Sequence, residues 1–266
     1  MDYYYSIASG SKGNCSLLCC GQSRFLIDMG VSVRSLKKTL ENVDLAIEDL
    51  SGILLTHAHG DHIRGLETLV KKYVTPLFAS VGTTAEIYEK IPAARGRISE
   101  FLAGSRFGLG RTEIQSVRTP HDCRESVGYV FSWQGGRLGF VTDLGFMPST
   151  VERELMGCDT VILESNHDVD MLAYGPYPPH LKERIRGNRG HLSNGNCAAC
   201  ACNLVRSGTR RLILAHLSET NNRPELAFET TLRRLDQENL SCQLMVAPVK
   251  AMEEPVILKE ASVCWG

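Results

Sequence analysis

The sequence has almost no net charge: 29 basic and 30 acidic residues leave −1 at neutral pH. A chain so balanced does not advertise nucleic-acid binding as a whole, so any such surface must be local. No apolar run approaches 18 residues, and no membrane span is expected. The start, Met1-Asp2-Tyr3-Tyr4-Tyr5, lacks the basic residues and apolar stretch of an export signal. No low-complexity linker and no internal repeat interrupts the chain. What remains is a globular chain of 266 residues, 43% hydrophobic and 22% charged. It is long enough to bury about three quarters of its extended surface. One α/β domain over residues 1–266 and a cytoplasmic location are the expectations.

Ten cysteines are present, irregularly placed. Without an export signal, reduced thiols are expected rather than a disulfide framework. Cys197-x-x-Cys200-x-Cys202 has the look of a zinc half-site, but it lies in an apolar, small-residue run from Asn196 to Val205. Close helix packing is expected there, because free cysteine behaves as a small buried hydrophobe and no second ligand pair is near.

Short runs bounded by turn residues predict strands at Tyr3–Ala8, Ser16–Cys20, Arg24–Asp28, Pro76–Ser80, Thr112–Arg118, Thr160–Leu163, Leu212–Ala215 and Gln243–Ala247, with Thr160–Leu163 buried. Ser126–Trp133 and Arg137–Thr142 read as a hairpin around Gly135-Gly136. Helical patterns cover Ser32–Glu41, Gly82–Lys90, Asn194–Val205 and Pro224–Gln237. Residues 175–191, rich in Pro, Gly, Arg and His, read as an exposed functional loop around a short helix. Alternating strands and helices with antiparallel hairpins predict helices outside a two-sheet core.

Against this background stands Thr56-His57-Ala58-His59-Gly60-Asp61-His62, in which four of seven side chains can bind a metal. An apolar run, Ile53-Leu54-Leu55, precedes it. A helical pattern with Ile63, Leu66, Leu69 and Val70 follows. The ligands therefore sit on a turn held at both ends by core packing. His57 and His59 are two apart and can face one side of an extended segment, and Gly60 then permits a reversal that brings Asp61 and His62. Two pairs suggest two neighbouring metals, since a single structural zinc is satisfied by four ligands. Further candidates follow predicted strands: His121 after Thr112–Arg118, Asp143 after Arg137–Thr142, and His216 after Leu212–Ala215. Asp143 is the best bridging ligand, because its two oxygens can each take one cation. Two cations roughly 3.5–4 Å apart lower the pKa of a water between them and steady the charge on an attacked phosphate.

The series His57, His59, Asp61, His62, His121, Asp143 and His216 resembles the metal-binding series of the metallo-β-lactamase fold, over roughly residues 3–247. That resemblance implies an αββα sandwich of two mixed β-sheets with helices on the outer faces. It also implies one metal on His57, His59 and His121 and another on Asp61, His62 and His216, with Asp143 between. Thiolesterases, lactamases and nucleases share the motif, so it fixes no single reaction. Ser9-Gly10-Ser11-Lys12-Gly13-Asn14 resembles the Gly-Ser-x-Gly-Asn turn of the phosphodiesterase branch. Gly190-His191-Leu192-Ser193-Asn194 resembles that branch's His-Leu-Ser segment, which implies that His191 protonates the leaving oxygen or steadies the phosphate. By the same likeness Asp61 and His191 are the catalytic residues. Ser193 or Asn194 also suits the N-cap of the next helix.

Leu163-Glu164-Ser165-Asn166-His167-Asp168 and His216-Leu217-Ser218-Glu219-Thr220-Asn221-Asn222 sharpen the likeness to the WalJ/YycJ group of stand-alone exonucleases. This implies 5′-to-3′ digestion of DNA with two divalent ions, zinc or manganese, iron also being suited. The alternatives are a small-molecule hydrolase, acting on a cyclic phosphodiester, thioester or lactam, and an RNA-processing nuclease. His167 and Asp168 are candidate substrate residues, with a structural role as the alternative. Lys182, Arg184, Arg186 and Arg189 form a candidate phosphate track, with Tyr174 and Tyr177 placed to stack on bases. A solvated helix face with core tyrosines is the plainer reading of the same residues.

Overall fold

The computed structural model describes residues 1–259. Among these, fourteen strands form two seven-stranded sheets. The first sheet holds β1 (Asp2–Gly10), β2 (Gly13–Cys20), β3 (Ser23–Ile27), β4 (Gly52–Leu54), β5 (Leu77–Ser80) and β6 (Ile98–Phe101), with β14 (Val256–Lys259) beside β1. The second runs β13 (Gln243–Val246), β12 (Arg211–Ala215), β11 (Thr160–Glu164), β10 (Gly136–Val141), β9 (Val127–Trp133), β8 (Thr112–Arg118) and β7 (Arg106–Leu109). Each sheet is mixed. In the first, pairing is antiparallel from β14 to β3 and parallel from β3 to β6. The second is parallel from β13 to β10 and antiparallel from there to β7.

Side-chain alternation along the strands builds three apolar layers. In β11, Ile162 joins the core shared by both sheets, whereas Val161 and Leu163 face the other way. β12 repeats this, with Ile213 inside and Leu212 and Leu214 outside. Phe25 from one sheet and Phe131 from the other stack at 5.8 Å across the interior. The outer face of the second sheet is covered by α5 (Ser149–Leu155), α8 (Asn194–Arg206) and α9 (Pro224–Gln237), through residues such as Val151, Leu155, Cys197, Ala201, Leu204 and Ala227. Leu36 and Leu40 of α1 (Val33–Glu41) bury on the first sheet's side, and Ser32 caps that helix by accepting from Ser35 N. Ser193 caps α8 in the same manner. Cys197 and Cys202 are buried and Cys200 half-buried, the close packing expected of that run. The nine described cysteines are free thiols, and Cys264 lies outside the described residues.

The helical pattern after the His-rich turn divides in two, α2 (Gly60–Ile63) and α3 (Leu66–Lys72). The break falls at Gly65, whose N–H donates to Met29 O. A Cβ at Gly65 would come within 2.0 Å of Val31 O, so only glycine permits this docking. The remaining α-helices among the described residues are α4 (Val81–Lys90), α6 (Val169–Tyr174) and α7 (Pro179–Arg186), the last being the short helix expected within 175–191. β6, β7, β14 and the short helices α5 and α6 have no counterpart in the sequence reading. Only Ile98 is buried in β6 and β7, so neither carries the apolar run that marks the equally short β5.

Candidate metal centre

The C-terminal ends of the central parallel strands gather at one pole of the sandwich, and polar residues follow each of them. Asp28 comes after β3, His57 after β4, Asp143 after β10 and His216 after β12, while Glu164 is the last residue of β11. His121 arrives from the end of β8. Asp28, Asp143 and His216 all have left-handed backbone, at φ 62°, 60° and 58°. That conformation costs a non-glycine residue about 1–3 kcal/mol and persists where the surroundings enforce it. Here it turns each strand end so that the side chain enters the pole instead of continuing the strand's alternation. A second close approach depends on Gly30, where a Cβ would meet Asp61 O at 1.7 Å. The backbone after β3 is thereby pressed against the turn that carries Asp61 and His62.

The seven predicted ligands are brought together. Donor atoms of His57, His59 and His121 lie within 4.8 Å of one another, as do those of Asp61, His62 and His216, and of His57, His62 and Asp143. His62 Nε2 stands 3.4 Å from both Asp61 Oδ2 and Asp143 Oδ2. His57 Nε2, His216 Nε2 and Asp143 Oδ2 are buried without a hydrogen-bond partner among the described residues. Buried polar atoms are almost always paired. Orphans spread over these adjoining groups of imidazoles and carboxylates fit divalent cations.

The far side of every ligand ring except that of His59 is held, and the His59 Nδ1 faces His121 Nε2 at 3.1 Å. His62 Nδ1 donates to Asp28 Oδ2 at 2.7 Å, and Thr56 Oγ1 donates to the same oxygen at 2.8 Å while accepting from His57 Nδ1 at 3.0 Å. His121 Nδ1 donates to Gly190 O at 3.2 Å. His216 Nδ1 and His191 Nδ1 both donate to Glu164 Oε1 at 2.8 Å, and Glu164 Oε2 accepts from Leu144 N and Leu192 N. These partners fix the tautomer so that Nε2 faces the centre, the usual arrangement behind imidazoles that bind metals. Asn14, at the end of the turn after β1, donates to Asp61 Oδ2 at 3.0 Å.

Sequence reasoning assigned no role to Glu164 or Asp28. Both end apolar strands, as Asp143 and His216 do, so the signal that found those two was present here as well. The quoted segments around them prove to interlock. Asn166 Nδ2 donates to His216 O, and Ser165, Asn194 and Asn222 share a buried hydrogen-bond network.

Electrostatics at the pole follow from burial and crowding. Burial pushes the His57 imidazole well below its ordinary value, with the charges on His62, His121 and His59 adding to the effect. Burial also lowers His59 and His121. It opposes charge on His62 and His216 too, but there the carboxylates win: Asp143, Asp28 and Asp61 hold His62 well up, and Asp143, Asp61 and Glu164 raise His216 to about 10. Burial would raise Asp61, Asp143 and Glu164, yet the facing histidines hold all three below the usual carboxylate range.

A cleft of about 200 Å³ opens on this cluster, lined by His59, Asp61, Asp143, His191 and His216 on one side and by Tyr177, Leu181, Arg184 and Ile185 on the other. The remaining predicted substrate residues lie elsewhere or are engaged. Lys182 Nζ donates to Ala173 O, and Arg189 to His121 O and Cys123 O, all at 2.8 Å. Arg186 is exposed, and Tyr174 is 89% exposed. Asp168 caps α6, accepting from Asp170 N and Met171 N. His167 is buried, its Nδ1 without a hydrogen-bond partner among the described residues, and burial brings its pKa down to about 4. None of the described helices is long and apolar enough to cross a membrane.

Comparison with known proteins agrees with this geometry. Residues 23–217 match the family model of the β-lactamase superfamily domain. The chain is 34% identical over 242 residues to the exodeoxyribonuclease YycJ of Bacillus anthracis, covering 90% of this chain and 91% of that protein. It is 32% identical over 242 residues to the exodeoxyribonuclease WalJ of Streptococcus pneumoniae, covering 89% of each. Among solved structures, the metallo-β-lactamase fold protein YhfI of Bacillus subtilis superposes with a TM-score of 0.66 at 16% identity, over 94% of this chain and 98% of that one. The chain belongs to the β-lactamase superfamily, with the metallo-β-lactamase fold and with YycJ and WalJ as its relatives.

Proposed function

We propose that the protein is a two-metal phosphodiesterase that digests DNA from its 5′ end. The observation that carries the metal part is charge. Asp61, Asp143 and Glu164, all held below the usual carboxylate range, converge at one pole with Asp28 behind His62, around His57 Nε2 and His216 Nε2, which have no hydrogen-bond partner among the described residues. His57, His59 and His121 would hold one ion, Asp61, His62 and His216 the other, and Asp143 would serve both. When bound, such ions supply an activated water and stabilise charge on the attacked phosphate. Zinc and manganese both suit this donor set, and iron is admissible.

The protein's own groups then have distinct tasks. Asp61 helps to fix the geometry of the second site and faces the cleft. His191 lines the cleft with Nδ1–H donating to Glu164, so that Nε2 faces the leaving oxygen and gives it a proton when the ring is doubly protonated. DNA as substrate is supported by the two exodeoxyribonuclease relatives, which align over about nine tenths of the chain. The cleft's modest size, about 200 Å³, favours one second reading, a small phosphodiester. End-labelled DNA duplexes and bis-(p-nitrophenyl) phosphate, each incubated with added Mn²⁺ or Zn²⁺, separate the two. Stepwise release of mononucleotides from the 5′ end is the expected result. Cleavage of the small diester with intact DNA would replace the nuclease by the second reading.

A further inference from the structure

The four cations at 182–189 resolve into three engaged or outward-pointing side chains and one that faces the cleft. Leu181, Arg184 and Ile185, spaced i, i+3 and i+4, form the face of α7 that lines it. Arg184 is the only Lys or Arg among the described lining residues. Its Nε donates to Asp122 Oδ2, and its Nη1 and Nη2 have no partner among the described residues. Asp122 is itself wedged. Its Oδ1 is buried without a hydrogen-bond partner, 3.5 Å from His121 Nε2 and 3.7 Å from His59 Nε2. The guanidinium is therefore held at its inner edge while its outer edge is offered to the cleft.

We propose that Arg184 binds the non-bridging oxygens of the substrate phosphate through Nη1 and Nη2, with Asp122 as its positioning residue, so that the site selects anionic phosphodiesters over neutral esters. This rests on the phosphodiesterase reading. An arginine fork matches phosphate with two parallel N–H donors and loses less rotamer freedom when one edge is already anchored. A lysine at 184 could not hold Asp122 and present two further donors in one plane. A neutral ester has no phosphate oxygen anion to meet the fork, so the contact discriminates by charge.

Metal-loaded wild type, R184Q, R184K and D122N test it in two ways. Calorimetry reads the contact without turnover, with thymidine 5′-monophosphate as the anionic probe and thymidine as the neutral one. R184Q should bind the monophosphate about 10- to 100-fold more weakly, the loss of hydrogen bonds to a charged group, with metal content and thymidine binding unchanged. Kinetics on bis-(p-nitrophenyl) phosphate should show the same rise in KM with kcat little altered. R184K should recover part of the loss, and D122N should fall between R184Q and wild type. Monophosphate binding by R184Q equal to wild type overturns the inference. Equal loss of monophosphate and thymidine also overturns it, by making Arg184 merely structural. Absence of diester cleavage in the wild type would sink the phosphodiesterase reading alone, because the calorimetric comparison still decides the role of Arg184.

Discussion

Two stretches of this chain concentrate metal-binding residue types, and only one of them gathers ligands from other elements. His57–His62 joins histidines and carboxylates from five other strand ends, and several of its atoms lack a protein partner. Cys197, Cys200 and Cys202 lie on α8, where Cys197 packs with Ala201 and Leu204 against the outer face of the second sheet. No group of candidate ligands among the described residues includes them. The ligand type is present in both. What differs is convergence from separate elements, together with a hydrogen-bond partner fixing the back of four of the five ligand rings. Left-handed backbone at Asp28, Asp143 and His216 marks the first region and is absent from the second.

That contrast can be broken most forcefully at Asp143, which is buried and faces both triads. D143A should lose metal and reduce turnover by roughly 10³-fold or more, while circular dichroism shows the fold intact. Full metal content in that variant would dismiss the bridging role. Next comes H191A, for which metal content should stay constant while turnover falls about 10²- to 10³-fold, the worth of a general acid. Loss of metal along with activity would instead make His191 a ligand. E164Q probes the layer behind. A Gln amide cannot accept from two imidazoles on one side and two backbone N–H groups on the other, so metal affinity should drop about 10- to 100-fold by competition against a chelator. Unchanged affinity would reduce Glu164 to packing. Smallest is C200S on α8: metal content stays as in wild type, and stability shifts by no more than about 0.5 kcal/mol in urea melts. A fall in bound metal there would erase the distinction between the two regions.

Much of this pole is legible in sequence because each contributing residue ends an apolar run. A polar residue placed there has nowhere to go but the loop cluster, and His121, Asp143 and His216 announce themselves in that way. Glu164 and Asp28 give the same signal after Val161-Ile162-Leu163 and Phe25-Leu26-Ile27. What conceals them is that neither belongs to the ligand spacing, since their work is to hold imidazoles that come from other strands. The cations at 182–189 show the opposite limit. A long side chain ends wherever tertiary structure offers an acceptor, so nothing local could send Lys182 to Ala173 O, Arg189 to His121 O and Arg184 to Asp122. The fold was readable for the same reason as the ligands, through short apolar runs such as Thr160–Leu163 and Leu212–Ala215. It was unreadable where a strand buries almost nothing, as in β6 and β7, of which only Ile98 is buried.

The most direct measurement is anomalous diffraction from crystals grown with Zn²⁺ and with Mn²⁺, each recorded at the absorption edge of its metal. Two peaks are predicted, one within bonding distance of His57, His59 and His121 and the other of Asp61, His62 and His216, with Asp143 touching both. A single peak, or metal bound at the α8 cysteines in place of the strand-end pole, would contradict the two-metal site.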